Sequence, residues 1–176
     1  SNARIAGVRQ QGFDRVVVLT LEKEETYELV LELFAEGNVV LVKDGTIVQP
    51  LTSHTWKHRD VKAKRPFVYA PPVPDPGRMD VPGLMEILGS SDADLVRTLA
   101  TKLNIGGRYS EELCARTKLS PGAKASELDE SQASAILDAI RAMTAEATGS
   151  RKGFLVSRGG VPDDVVPISM TTYAGL

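Results

Sequence analysis

The chain has 176 residues, of which 42% are hydrophobic and 25% charged, and its formal net charge is -2 at pH 7. That composition is ordinary for a globular protein with one good core or two small ones. The charge excludes a protein that coats nucleic acid over its whole surface and leaves room for a local basic patch. A single cysteine, Cys114, excludes an intramolecular disulfide, and two histidines make no zinc cluster, so no metal or cofactor is expected. No apolar run reaches the length of a membrane span and no signal peptide is visible, which points to a reducing, cytoplasmic setting without a membrane partner. Ser1, Asn2 and Ala3 read as a tag remnant, and the rest as an excised fragment.

From Phe13 to Leu21, β-branched and aliphatic residues fill both alternating faces, the pattern of a central strand covered on both sides. Asp14 and Arg15 stand side by side at its head, and the two-residue period of a strand would turn them to opposite faces. Two readings stay open: weak surface pairs, or a carboxylate and a guanidinium held by a buried strand and aimed at a phosphate or base edge. Thr26 to Leu33 alternates, with Tyr27, Leu29, Leu31 and Leu33 assigned to the apolar face and Glu28 and Glu32 to the wet one. Val39 to Lys43 then pairs with Thr46 to Gln49 across Asp44-Gly45, a strong two-residue hairpin signal. Residues 4–70 are therefore an antiparallel β meander.

Lys57, Arg59, Lys62, Lys64 and Arg65 crowd around Asp60, next to Trp56, the only tryptophan. Such a run is ordinarily a solvated face; beside an aromatic ring it equally suits RNA, with rings on bases and cations on phosphates. Prolines in 71–79 forbid a regular element and mark a linker.

Beyond it the period changes to 3.6, and residues 80–149 form a small helical domain. Asp80 caps a helix ending at Gly89; Ser91 and Asp94 open a second with the stripe Leu95, Leu99 and Leu103. A third begins near Ser110, and Asp129 with Gln132 opens the last, whose stripe is Ala133, Ile136, Leu137, Ile140 and Met143. Gly106, Gly107, Arg108 and Tyr109 form the turn before the third helix. Glycines there allow close approach to a phosphate, and Arg108 supplies a cation; a plain inter-helix turn with Tyr109 in the core explains the glycines as well. Residues 150–176 read as a β-hairpin, strands at Phe154 to Ser157 and Val165 to Met170, that rejoins the sheet. No catalytic triad spacing, Walker-type loop or dinucleotide fingerprint occurs, so no enzyme and no small-molecule substrate is expected.

Two groups of motifs carry a resemblance. Leu103 to Leu113, with Leu119-Ser120-Pro121 and the following helix, resembles the helix-two-turn-helix module of formamidopyrimidine-DNA glycosylases, with Gly107 where that family usually has Asn. Gly12 to Val17, Tyr27 to Leu41, Arg59-Asp60-Val61 and Tyr69-Ala70-Pro71-Pro72 together resemble the NFACT family of NEMF-like and RqcH-like ribosome quality-control factors, often labelled fibronectin-binding proteins. The resemblance covers nearly the whole chain and implies an α+β fold. It comprises an incomplete glycosylase N-terminal-domain-like meander, a helix-two-turn-helix-like domain, and a hairpin returning to the sheet. It also implies an RNA-binding part of a factor that binds the obstructed large ribosomal subunit, through rRNA and ribosomal proteins, and tRNA. Such factors support template-free C-terminal tailing of stalled nascent chains. On that basis Asp14 and Arg15 handle tRNA, the 57–65 cations meet phosphates, and Gly106 to Tyr109 give a secondary phosphate-binding turn. The alternative is a DNA-repair glycosylase-like helix-two-turn-helix protein. The family's opening strands, long coiled coil and C-terminal domain are not found in these residues.

Overall fold

A computed structural model describes residues 2–56, 59–149 and 152–174. The chain divides into two compact units, residues 1–73 and 74–176, with the division inside the proline-rich stretch.

The first unit is a five-stranded antiparallel sheet in sequence order: β1 (Arg4–Gln10), β2 (Val16–Glu22), β3 (Thr26–Glu32), β4 (Asn38–Lys43) and β5 (Thr46–Pro50). A separate two-stranded ribbon follows, β6 (His54–Trp56) and β7 (Arg59–Val61). Val18, Val30 and Val40 lie opposite one another on adjacent strands and are fully buried; with Val16, Val42, Ile47 and Val61 they make the core of this unit. The β4–β5 turn is Asp44-Gly45, both at positive φ, as the two-residue hairpin requires.

Three expectations change. The chain does not enter β2 until Val16, so Asp14 and Arg15 belong to the turn after β1, an edge strand that the sequence reading did not assign. Burial along β2 alternates instead of being complete on both faces. The faces of β3 are also the reverse of those expected. Glu32 follows Val30 on the buried side, in a row with Val16 and Asn38, while Leu33 beyond the strand is exposed. A carboxylate can occupy that position because Arg59 meets it there.

The second unit packs four helices, α1 (Val81–Gly89), α2 (Leu95–Lys102), α3 (Gly107–Thr117) and α4 (Glu130–Gly149). Their starts follow local chemistry. The carboxylates of Asp80 and Asp94 accept the backbone N–H of Gly83 and Arg97, and Asp129 and Gln132 exchange reciprocal bonds of 2.9 and 3.0 Å. Ser91 takes no part in a cap; its hydroxyl is buried against that of Thr98 at 2.7 Å. Leu84, Leu88, Leu95, Leu99, Leu113, Ile136 and Leu137 fill the core, and Cys114 is buried with them, its thiol pushed up by desolvation.

The C-terminal hairpin, β8 (Phe154–Arg158) and β9 (Val161–Val166), does not rejoin the sheet of the first unit. Among the described residues its strands pair only with each other, and Val156, Val166, Ile168 and Met170 complete the helical core. The turn is Gly159-Gly160, both at positive φ, so β9 starts at Val161, earlier than the apolar run at Val165 suggests. The helical core provides the apolar cover that a two-stranded hairpin lacks alone. Among the described residues no helix is long and apolar enough to cross a membrane.

Candidate nucleic-acid interface

The head turn of the first unit is built by short-range bonds. Asp14 donates its N–H to the Gln11 carbonyl at 3.1 Å, and Gln11 donates to that of Val16 at 2.9 Å. The Asp14 carboxylate accepts the N–H of Arg15 at 2.8 Å, and the Gln10 amide donates to the Asp14 carbonyl. Arg15 in turn accepts the N–H of Leu33 at 2.7 Å, which ties the turn to the chain just beyond β3. Asp14 thus shapes the turn, and Arg15 is an exposed residue on a backbone held at both ends of that turn.

The basic stretch is less uniform than its sequence. Lys57 lies outside the described residues. Arg59 is not a surface cation: its side chain is 7% exposed and that of Glu32 3%, and the two form a bidentate pair whose longer bond is 2.8 Å. The Arg59 guanidinium lies 4.7 Å from the centre of the Trp56 ring, and one of its nitrogens also reaches the Val68 carbonyl at 3.3 Å. Its charge is committed within the fold. Lys62 and Arg65 both approach Asp60, at 3.3 and 3.7 Å. A bond from the Thr55 hydroxyl and then the Lys62 ammonium hold the Asp60 carboxyl below its usual range, against the desolvation that opposes them. Lys64 is exposed on a turn at positive φ and has no ion pair among the described residues. Lys62, Lys64 and Arg65 therefore outnumber one acid on an exposed turn, the arrangement that suits a polyphosphate backbone.

In the second unit Gly106, at φ +82°, precedes α3, and Gly107, Arg108 and Tyr109 form the first turn of that helix, earlier than the start expected near Ser110. Arg108 pairs with Asp164 of β9 at 2.8 Å, and the Tyr173 hydroxyl donates to the same carboxylate at 3.0 Å. Desolvation of Asp164 is outweighed by Tyr173, the Val165 N–H and Arg108, and its carboxyl is held low. Tyr109 packs against the helical core. Arg108 is thus braced against the hairpin, and of the four turn residues the glycines alone retain the geometry of a close backbone approach.

Sequence reasoning missed the groove beside Trp56. Phe34, Trp56, Tyr69, Pro71 and Pro72 line a depression of about 670 Å³ with Arg59 at its floor. Arg9 stands at its edge, donating to the Tyr69 hydroxyl at 3.2 Å and pairing with Glu28 at 3.0 Å. The available signal was Glu32, a carboxylate following apolar positions of alternate parity, but its partner lies 27 residues away. No group of three or more His, Cys, Asp or Glu side chains is placed to hold a metal ion among the described residues.

Comparison with known proteins gives a consistent picture. The family model for NFACT N-terminal and middle domains matches residues 1–172. The archaeal Rqc2 homolog aRqcH of Methanocaldococcus jannaschii is 30% identical over 183 aligned positions, covering 99% of this chain and 27% of that protein. The chain therefore spans about a quarter of the curated relative. Among solved structures, the fibrinogen binding protein from Staphylococcus aureus superposes with a TM-score of 0.75 at 14% identity, covering 97% of this chain and 64% of that one. The MutM (Fpg) protein from Thermus thermophilus superposes at 0.55 with 23% identity, over 85% of this chain and 62% of that one. These two likenesses establish shared architecture.

Proposed function

The chain belongs to the NFACT family, and from that premise we propose that it is the RNA-binding part of a ribosome-associated quality-control factor. It engages tRNA on an obstructed large ribosomal subunit, through rRNA and ribosomal proteins, and supports template-free tailing of the stalled chain. It acts by binding and positioning, without enzymatic chemistry of its own, and it works in the cytoplasm. The observation that carries this reading is the head turn, where Asp14 fixes the backbone beside the exposed Arg15. The exposed turn of Lys62, Lys64 and Arg65 supports it by offering phosphate contacts in the same unit. The identity to an archaeal Rqc2 homolog over nearly the whole chain supports the assignment to quality control.

A second reading, duplex DNA held by the Gly106 turn, draws on the fold shared with Fpg proteins, one of which was solved in complex with abasic-site DNA. The engagement of Arg108 by Asp164 weighs against it. Fluorescence anisotropy with labelled tRNA and with duplex DNA carrying an abasic site, titrated with salt, separates the two. A tRNA preference with a steep salt dependence is the expected result; a preference for the damaged duplex would overturn the proposal.

A further inference from the structure

We propose that the groove beside Trp56 holds one unpaired nucleobase of single-stranded RNA. This deepens the RNA-binding reading and rests on it.

The lining is flat and apolar. Trp56 is 45% exposed, so much of its ring is open, and Tyr69 and Phe34 add two more aromatic surfaces. Trp56, with Phe34, also borders a smaller hollow of about 300 Å³ that includes His54, and the imidazole lies 4.9 Å from the indole at an angle of 31°. The indole is thus held from two neighbours: His54 on its own strand, and Arg59 directly opposite on β7. A ring held this way loses little entropy on stacking.

The chemistry of the walls favours a base over a peptide. Pro71 and Pro72 bring no N–H, so an extended peptide laid along that wall would leave its own carbonyls unpaired. A base needs only a face to stack on, which is why such platforms tolerate sequence. The Arg59 charge is cancelled by its buried partner Glu32, so the lining carries no uncompensated cation there, as suits a neutral ring. Anionic phosphates would stay outside, within the field of the exposed 62–65 turn.

Trp56 is the only tryptophan, so its fluorescence reports on the groove alone. The full chain is titrated with an unstructured adenosine hexanucleotide, with a ribose-phosphate hexamer lacking bases, and with an uncharged proline-rich peptide. Binding of each is followed in parallel by anisotropy. The expected result is quenching of Trp56 by the hexanucleotide and not by the base-free hexamer. Trp56→Leu, which keeps an apolar side chain in the groove, should weaken hexanucleotide binding roughly tenfold, while Trp56→Phe keeps most of the affinity. Equal quenching by the base-free hexamer, or hexanucleotide binding without quenching, overturns the base site and leaves RNA binding standing. Quenching by the peptide alone overturns it in favour of a protein partner. Absence of RNA binding in both readouts removes the RNA-binding reading together with the site.

Discussion

Both units bury a carboxylate against an arginine, but the surroundings of the two pairs differ. In the sheet unit Glu32 and Arg59 satisfy one another, and among the described residues Arg59 also meets the Val68 carbonyl and the Trp56 ring. In the helical unit Glu112, with a fully buried side chain, accepts from Arg116 at 2.7 Å and also from the backbone N–H of Thr171 and Thr172 at 2.9 and 3.0 Å. Arg116 continues to Glu146 and the Ser169 carbonyl. The first pair is a closed couple under an open groove. The second fastens the segment after β9 to α3 through backbone amides, beside a depression of about 590 Å³ that Arg116, Glu146 and Ser169 help to line. A buried ion pair is therefore not one kind of feature: its cost of removal depends on which backbone groups it leaves behind.

The largest effect is expected from breaking one partner in the fastened network. Glu112→Ala should destabilise the helical unit by about 3–5 kcal/mol, because the Thr171 and Thr172 amides lose their acceptor and Arg116 loses one of its two carboxylates. Chemical denaturation followed by circular dichroism measures it, and a loss below about 1 kcal/mol would remove the fastening role. Replacing whole pairs sharpens the contrast. Glu32→Leu with Arg59→Met should be close to neutral for the sheet unit, since apolar groups of similar size often replace a closed pair without loss. Glu112→Leu with Arg116→Met should still cost roughly 2–4 kcal/mol, from the orphaned Thr171 and Thr172 amides. Equal costs in the two units would mean that the Thr171 and Thr172 amides do not set the two pairs apart.

The same network predicts a pH dependence. Burial pushes the Glu112 carboxyl up, but Arg116, the two amides and the Thr172 hydroxyl outweigh it, and its pKa in the folded chain is lowered. A carboxyl depressed on folding contributes stability that is complete above its unfolded pKa and is lost as pH falls through the folded value. The helical unit should therefore weaken progressively below the ordinary glutamate range, and Glu112→Gln should flatten that slope in denaturation curves taken across acid pH. A more local change, Asp94→Ala, removes one cap from α2 and should cost about 1 kcal/mol.

What could be read in the sequence was what its neighbours decide. Asp44-Gly45 specifies its turn within two residues, and Asp129 with Gln132 closes a capping box within four, so the β4–β5 hairpin and the start of α4 were legible. Leu95 and Leu99 named the core face of α2 for the same reason. The faces of β3 were not legible. Tyr-Glu-Leu-Val-Leu-Glu supports either face as the buried one, and the choice falls to Arg59. The exposed strand β1 mixes arginines, small residues and isolated aliphatics without alternation, and only its pairing with β2 makes it a strand. At the candidate site, Asp14 and Arg15 were visible as a pair, whereas their bonds into a turn with Gln11 and Leu33 were not. Arg59 shows the limit most plainly, since nothing in its basic neighbourhood distinguishes a buried partner of Glu32 from a surface cation.

A role for Arg15 of the head turn in tRNA binding is tested directly by comparing the tRNA affinity of wild type and Arg15→Ala at several salt concentrations. The expected result is a loss of roughly 5- to 150-fold, the range for one forked arginine contact, with a shallower salt dependence and an unchanged fold by circular dichroism. Unchanged affinity and an unchanged salt slope in a folded Arg15→Ala variant would contradict it.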